Sequence, residues 1–206
     1  FYDVTDGKIT IDGKDIRNVS QHELREKLGY VPQKAVLFSG DIASNILYGN
    51  PDGSEAEMTE AATIAQATEF IEQKKKKYKS TISQGGSNVS GGQKQRLSIA
   101  RAIAKHPDVY IFDDSFSALD YKTDATLRAK LKEKTSESTV MIVAQRISTI
   151  LHADQIIVLD DGQIVGKGTH KELLKNCEAY YQIASSQLSE KELEEDLKEV
   201  ESYAKR

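Results

Sequence analysis

An apolar strand pattern that ends in two aspartates constrains this chain more than any other feature of its sequence. The run Val109-Tyr-Ile-Phe112 contains no charged residue, and Asp113 and Asp114 follow it directly. Such a run is typical of a strand that is buried on both faces of a parallel sheet. Carboxylates at the C-terminal end of a parallel strand lie where α/β proteins bind ligands, and an Asp there commonly holds Mg²⁺ for a nucleotide. The alternative interpretation is an acidic turn without a ligand.

A helix start with two glycines lies upstream of this strand. Val89-Ser-Gly-Gly-Gln93 opens a helix that Pro107 ends. Glycines let the backbone approach a bulky anion, and the N–H groups and dipole of a helix start favour phosphate. By itself the run fits a glycine turn before a helix equally well, but next to an aspartate-bearing strand it indicates a phosphate site. The candidate residues are Ser90, Gly91, Gly92 and Gln93.

The order of elements along the chain is that of an α/β protein with a helical insertion. Apolar patterns predict strands over Lys8–Gly13, Leu28–Val31 and Thr139–Val143, and a hairpin over Gln155–Val165. Capping boxes predict helix starts at Ser20, Ser54, Thr169 and Ser189, the second opening a helical region that runs to about Gln73. We divide the chain into core strands (1–40), a helical subdomain (41–107), a second core segment (108–180) and a helical tail (181–206). The tail carries an apolar stripe that docks on the domain or binds a partner: Leu193, Leu197, Val200 and Ala204.

Composition and charge exclude several classes of protein. The 206 residues, 38% hydrophobic and 29% charged, suffice for one domain with a substantial core. We find no secretory signal, and no apolar run approaches the ~20 residues needed to cross a bilayer, although the chain could be attached to a membrane protein. A net charge of −4 argues against a nucleic-acid partner. The single Cys177 fits a reducing compartment, and Lys74–Lys77 is a solvated helix end or a contact with acidic lipid or a partner.

Taken together, these segments resemble the ATP-binding cassette (ABC) family over nearly the whole chain. The matches are the Q-loop Gln33, the signature Asn88–Arg96, the Walker B strand Tyr110–Asp113, the D-loop Ser117–Asp120 and the switch region Val143–Ser148. Asp41–Ile46 and Gly168–Leu173 resemble the exporter branch. The resemblance implies an α/β fold, a P-loop-NTPase-like parallel sheet with a helical signature subdomain, incomplete at the N-terminus. It implies ATP and Mg²⁺ as cofactors, with the metal at Asp113 and Gln33 and the nucleotide at Gln33, Ser90, Gly91, Gly92, Gln93 and Asp120.

One motif of the family is absent from the sequence. No segment fits the phosphate loop G-x-x-x-x-G-K-[ST], whose backbone N–H groups and lysine cradle phosphates. The nearest segment, Gly162–Thr169, is one residue short and lies in the predicted hairpin, so we interpret it as a decoy. In relatives the loop precedes the equivalent of Phe1-Tyr-Asp-Val4. We therefore expect a chain truncated at its N-terminus, which alone binds nucleotide weakly and has no measurable ATPase activity.

Three further positions depart from the family. Asp114 stands where the family has the Glu that polarises the attacking water, and its side chain is one methylene shorter. Gln145 replaces the switch His and cannot become cationic. A Glu often found near Gln84 is missing, which puts its coupling contacts in doubt. With Asp114 and Gln145 as the base and switch residues, the site is expected to bind ATP and to hydrolyse it poorly.

The resemblance implies different roles for the intact signature and for the altered Walker B and switch positions of this chain. Family members pair head-to-tail, so that each nucleotide lies between Walker A and B of one chain and the signature of the other. We expect a second, non-identical ABC domain that uses the intact signature of this chain, a transmembrane domain on the same full-length chain, and a location at the cytoplasmic face of the cell membrane. This describes the degenerate half of a heterodimeric, multidrug-type exporter. The alternatives are a soluble ABC ATPase and a catalytically inactive interaction module.

Overall fold

A computed structural model describes residues 2–194 and 196 of the chain. The chain forms two compact units, Phe1–Val143 and Ala144–Arg206, which are described separately below. The division into four segments made from the sequence stays a prediction.

The first unit is a mixed α/β structure. Its strands are β1 (Thr10–Ile11), β2 (Lys14–Asp15), β3 (Leu28–Val31), β4 (Gly40–Asp41), β5 (Thr81–Ile82), β6 (Val109–Asp113) and β7 (Thr139–Val143). Its helices are α1 (Gln21–Glu26), α2 (Ile42–Ile46), α3 (Glu55–Ile64), α4 (Thr68–Glu72), α5 (Gly91–Ala104) and α6 (Tyr121–Lys134). The second unit contains α7 (Ile147–Ile150), β8 (Ile156–Asp160), β9 (Gln163–Gly168), α8 (His170–Asn176) and α9 (Glu178–Ser185).

A parallel three-stranded sheet in the order β3-β6-β7 organises the first unit. Val31 pairs with Phe112, so the end of β3 lies beside the end of β6, and the residues after both strands meet at one sheet edge. The predicted strands Leu28–Val31 and Thr139–Val143 are confirmed. The parallel sheet with its helices confirms the predicted α/β, P-loop-NTPase-like class.

Helix α5 fills the space beside this sheet. Its apolar face is buried throughout, as shown by Leu97, Ala100, Ile103 and Ala104. Burying a single Leu or Ile side chain stabilises a fold by about 1.5–3 kcal/mol, so this face anchors the helix firmly. The start of α5 is consequently fixed relative to the strand ends of the sheet.

Two predicted elements are shorter than expected. The strand predicted over Lys8–Gly13 is wrong in extent, because Asp12 and Gly13 adopt positive φ angles of 51° and 77° and turn the chain between β1 and β2. The helical region predicted from Ser54 to Gln73 is interrupted, because Gln66 takes a φ of 55° between α3 and α4. The capping box at Ser54 is confirmed.

The described part of the second unit contains a tight hairpin between β8 and β9 together with α7, α8 and α9. Asp161 and Gly162, with φ angles of 46° and 76°, make the turn between β8 and β9, which suits the twist of a two-residue hairpin. The decoy segment Gly162–Thr169 lies in this hairpin and its exit, as predicted. Cys177 is buried, and the capping boxes at Thr169 and Ser189 are confirmed.

The tail is described only in part. Residues 190–194 are helical and Leu193 is buried, whereas Leu197, Val200 and Ala204 lie outside the described residues. Within the described part of the chain, no helix is both long enough and apolar enough to span a membrane.

Candidate nucleotide half-sites

The two aspartates lie at the end of β6, where the parallel strands stop. The amide Nε2 of Gln33 donates a hydrogen bond of 3.1 Å to Oδ2 of Asp114, which joins the Q-loop to the end of β6. The hydroxyl of Tyr30 donates a hydrogen bond of 3.1 Å to Oδ2 of Asp113. Burial, and then this bond to the carboxylate, raise the pKa of Tyr30 above its ordinary value of 10.0. The structure thus brings three of the predicted site residues, Gln33, Asp113 and Asp114, to one edge.

The backbone of Asp114 is held on both sides. Its N–H donates to the carbonyl of Val143 at 2.9 Å, and its own carbonyl accepts from the hydroxyl of Ser117 at 2.9 Å. Its φ of 44° lies in the left-handed region, which Asp tolerates better than most residues. Because the backbone is fixed, the short Asp side chain cannot move forward by a methylene length without breaking one of these bonds.

The signature segment forms the N-terminus of α5. Ser90 caps the helix: its Oγ accepts from the N–H of Gln93 at 3.3 Å, and the Gln93 side chain accepts from the N–H of Ser90 at 3.2 Å. The first bond uses a lone pair of the hydroxyl and not its proton. Ser90 and Gly91 are exposed, and a Cβ added at Gly91 would meet nothing within 4 Å. An anion could therefore reach this helix start directly.

The D-loop lies beside the signature. A Cβ at Gly92 would be 3.3 Å from the carbonyl of Ala118, so a side chain there would crowd the D-loop backbone. Asp120 caps α6 and accepts hydrogen bonds from the N–H and the hydroxyl of Thr123, which hold its pKa below its ordinary range. The carboxylate predicted to contact nucleotide is thus also a helix cap, and its nucleotide role stays a prediction.

The switch position belongs to the second unit. The carbonyl of Gln145 accepts from Nε2 of Gln187 at 2.9 Å, and Oε1 of the same Gln187 accepts from the N–H of Ile147 at 2.9 Å. The side-chain amide of Gln187, which follows α9, therefore bonds to the backbone at both Gln145 and Ile147. Gln145 itself is exposed, and its predicted role is not tested by this arrangement.

The residues present fit a magnesium ion and a nucleotide phosphate. Mg²⁺ prefers oxygen ligands and is typically held by one or two carboxylates together with substrate phosphates. Asp113 offers a half-buried carboxylate and Gln33 an amide oxygen at the same sheet edge. Among the described residues there is no group of three or more His, Cys, Asp or Glu side chains that could hold a metal ion. The carboxylate of Asp113 and the amide of Gln33 fit Mg²⁺ and a nucleotide phosphate at this edge.

Four supporting residues escaped prediction from the sequence. Gln95 donates to the carbonyl of Pro32 at 3.2 Å, and Ser115 donates to the carbonyl of Val31 at 2.8 Å, both from buried positions. Tyr30 and Gln187 are described above. All four act on partners distant in the sequence, so the local sequence does not reveal their roles. For Ser115 the available signal is a polar residue shortly after an apolar strand, whereas Gln95 stands between Lys94 and Arg96 and carries no such signal.

The geometry of the site identifies a class of protein, and the comparison with known families then identifies the family. A parallel sheet whose strand ends carry a glutamine and two aspartates, together with a capped glycine helix start that lies between them along the chain, is an α/β nucleotide-binding domain. The family model for ABC transporters matches residues 1–117. The chain therefore belongs to the ABC transporter family.

Individual relatives agree with this assignment. The chain is 47% identical over 190 residues to an uncharacterised ABC transporter ATP-binding protein of Mycobacterium tuberculosis, covering 91% of this chain and 32% of that protein. It is 42% identical over 187 residues to a Staphylococcus aureus protein named for multidrug export as an ATP-binding/permease protein, covering 91% and 32%. A solved structure of a bacterial Atm1-family ABC exporter with ATP bound matches with a TM-score of 0.88 at 39% identity, over 92% of this chain and 33% of that chain. The chain thus spans about a third of the relatives it matches, and its homology is to the ATP-binding proteins of ABC exporters.

Proposed function

We propose that this domain is the motor half of an ABC exporter whose own nucleotide site hydrolyses ATP poorly and whose signature completes the site of a partner. The observation that carries the proposal is the contrast between two features. The helix start at Ser90 and Gly91 is capped, exposed and intact, whereas Asp114 and Gln145 replace the residues that activate water and stabilise the transition state. The chain therefore supplies a complete half-site to another molecule and a weak half-site to itself.

The fixed backbone at Asp114 supports weak hydrolysis in the site of this chain. A general base must come within about 3 Å of the proton that it takes. The Asp114 side chain is shorter than the Glu of the family, and the bonds to Val143 and Ser117 oppose a compensating backbone shift. Gln145 can donate a hydrogen bond and cannot carry positive charge. Mg²⁺, when bound, would supply positive charge beside the phosphates, and Asp113 and Gln33 of this chain would hold it.

An exposed apolar patch supports a transmembrane partner. Val36, Phe38 and Tyr48 are 54%, 42% and 61% exposed and follow the Q-loop in sequence. Phe38 and Tyr48 stack with ring centroids 4.3 Å apart, so the patch is a formed surface. Exposed apolar patches commonly mark sites of protein interaction. We assign the patch to the membrane part of the exporter, and we propose that the domain lies at the cytoplasmic face of the cell membrane.

The sequence also supports an inference about nucleotide binding by the 206 residues alone. Their sequence contains no phosphate loop, so nothing in it cradles the β- and γ-phosphates with a glycine-rich backbone and a lysine. We infer that this chain by itself binds nucleotide weakly and does not turn ATP over. In the exporter, the partner is a non-identical ABC domain that carries the catalytic Glu and the switch His. ATP held in the weak site then acts as a clamp between the two domains.

The test is a comparison of two substitutions in the assembled exporter. Ser90→Ala removes a signature hydroxyl and is expected to abolish steady-state ATP turnover, because the partner's site loses a phosphate contact. Asp114→Asn changes a weak base and is expected to leave turnover nearly unchanged. The proposal fails if Asp114→Asn is the damaging change and Ser90→Ala is harmless. A soluble ATPase would show turnover that is independent of any membrane domain.

A further inference from the structure

The Q-loop backbone is pinned by two buried side chains from different elements. The hydroxyl of Ser115, directly after the aspartates, donates to the carbonyl of Val31 at 2.8 Å. The amide of Gln95, on the signature helix α5, donates to the carbonyl of Pro32 at 3.2 Å. Ser115 is 0% exposed and Gln95 is 2% exposed. The next residue is Gln33, so its backbone position is set from both the signature side and the Walker B side.

Gln95 is a buried amide of α5, although Lys94 and Arg96 flank it in the sequence. Ile99, one turn further along the same helix, is fully buried. Burying an amide without a hydrogen bond costs about 1–3 kcal/mol in proteins, and one hydrogen bond roughly offsets this cost. A volume-matched apolar residue would fill the same space, so the amide adds little net stability. Its distinct contribution is directional, because it fixes the signature helix to one carbonyl of the Q-loop.

These bonds form a continuous path between the two half-sites of the chain. Ser90 caps α5, and Gln95 follows one turn further along the same helix. Gln95 holds Pro32, whose ring restricts the backbone before Gln33. Gln33 in turn donates to Asp114. Every link is a hydrogen bond or a stiff backbone segment, so a displacement of the helix start changes the position of the Gln33 amide.

We propose that Gln95 is a positioning residue that couples the occupation of the signature by the partner's nucleotide to the placement of Gln33 beside Asp113 and Asp114. This inference rests on the proposed function, in which the signature of this chain serves another site. It deepens that function by naming the connection through which the two nucleotide sites sense each other. Gln95 touches no ligand itself and acts through Pro32 and Gln33.

A spectroscopic probe on the Q-loop tests the connection without relying on turnover. Lys34 is exposed and follows Gln33, so a cysteine at this position can carry a spin label. The Lys34→Cys change is made in an assembled exporter from which all other reactive cysteines have been removed. The probe ligand is Mg²⁺ with ATPγS, an ATP analogue that is hydrolysed slowly. We expect the label to change mobility on ATPγS binding. Gln95→Met, which keeps the volume and removes the donor, is expected to reduce this response about two- to tenfold, the range set by one uncharged hydrogen bond.

The matched control is Ser98→Ala, another buried polar residue of α5. It is expected to leave the label response unchanged. Equal responses in Gln95→Met and Ser98→Ala would overturn the inference. If Gln95→Met does not fold, Gln95→Asn retains the amide one methylene shorter and is expected to lose the same response, and a full response in that variant overturns the inference equally.

Steady-state turnover of Ser90→Ala, measured in the same labelled exporter, separates this inference from the proposed function. Retained turnover in Ser90→Ala contradicts the proposed function, whereas the label comparison still decides whether Gln95 positions the Q-loop. Lost turnover together with an unchanged label response in Gln95→Met contradicts the inference alone.

Discussion

Arg101 holds together the surface that we assign to the membrane partner, and removing its guanidinium is expected to destabilise the first unit strongly. The side chain donates three hydrogen bonds: to the carbonyl of Asn45 at 2.9 Å, to the side-chain oxygen of Asn45 at 2.9 Å and to the carbonyl of Val36 at 3.0 Å. Its guanidinium also lies over the rings of Phe38 and Tyr48, 4.9 and 5.6 Å from their centroids. Burial lowers the pKa of Arg101 below its ordinary range.

The magnitude follows from these contacts. Arg101→Met keeps the aliphatic stem and removes the three donors and the charge. A buried acceptor left without a partner costs about 1–3 kcal/mol, and a cation–π contact contributes about 0.5–2 kcal/mol. The desolvation of the guanidinium in the native protein offsets part of this sum. We expect a net loss of about 3 kcal/mol in the free energy of unfolding, since three hydrogen bonds are lost while the side-chain oxygen of Asn45 keeps the bond that it accepts from the N–H of Phe38.

Urea unfolding followed by circular dichroism measures this loss. With a typical slope of about 2 kcal/mol per molar urea, 3 kcal/mol lowers the midpoint by about 1.5 M. Arg25→Met is the matched control, because Arg25 is exposed and makes one hydrogen bond of 3.0 Å to Gln21. Its expected effect is below about 0.5 kcal/mol. Equal midpoints for the two variants would refute the assignment of Arg101 as the support of the patch.

Two further predictions separate fold from function and define the acid limit of stability. Gly91→Ala should leave the thermal midpoint of unfolding unchanged and should reduce ATP turnover of the exporter. Gly29→Ala should lower the thermal midpoint, because the added Cβ would lie 2.6 Å from Cγ of Pro107. An unchanged midpoint in Gly29→Ala would contradict the packing of β3. The carboxyls of Glu57 and Glu172 have pKa values below the ordinary 4.5, first because they accept backbone N–H hydrogen bonds. The contribution of these carboxylates to stability is therefore present above pH 4.5 and is lost as the pH falls through the lowered pKa values. Replacing the capping residues Ser54 and Thr169 with Ala should make the thermal midpoint fall less steeply at acid pH. An unchanged fall of the midpoint would contradict this prediction.

Much of the fold follows from local sequence patterns. The continuous apolar run Val109–Phe112 identifies the central strand, and capping boxes such as that at Ser54 mark helix starts because the same hydrogen bonds recur wherever the motif occurs. The ends of elements were less predictable. Positive φ angles at Asp12 and Gln66 interrupt a strand and a helix. Asp12 and Gly13 form a two-residue hairpin turn that depends on local sequence, whereas Gln66 contacts a residue that is distant in sequence. At Gln66 the contact is Arg96, which donates to its carbonyl at 2.7 Å.

The candidate site was predictable as a set of residues and not as a network. Gln33, Asp113 and Asp114 were expected at one edge, and the structure brings them there. The pairing of Gln33 with Asp114 could not be foreseen, because it depends on the register of β3 against β6. Likewise, the support of the Q-loop by Gln95 is a contact between residues 63 positions apart. The predicted nucleotide roles of the site residues stay predictions.

The central claim is that the two nucleotide sites of the exporter are unequal, with the weak site in this chain. The most direct measurement is a single turnover of the assembled pair, preloaded with radiolabelled ATP and Mg²⁺ and sampled over time. The account predicts that one nucleotide per pair is hydrolysed while the other remains as ATP, and that Asp114→Glu combined with Gln145→His speeds hydrolysis of the second. Hydrolysis of both nucleotides at the same rate in the unaltered pair would contradict it.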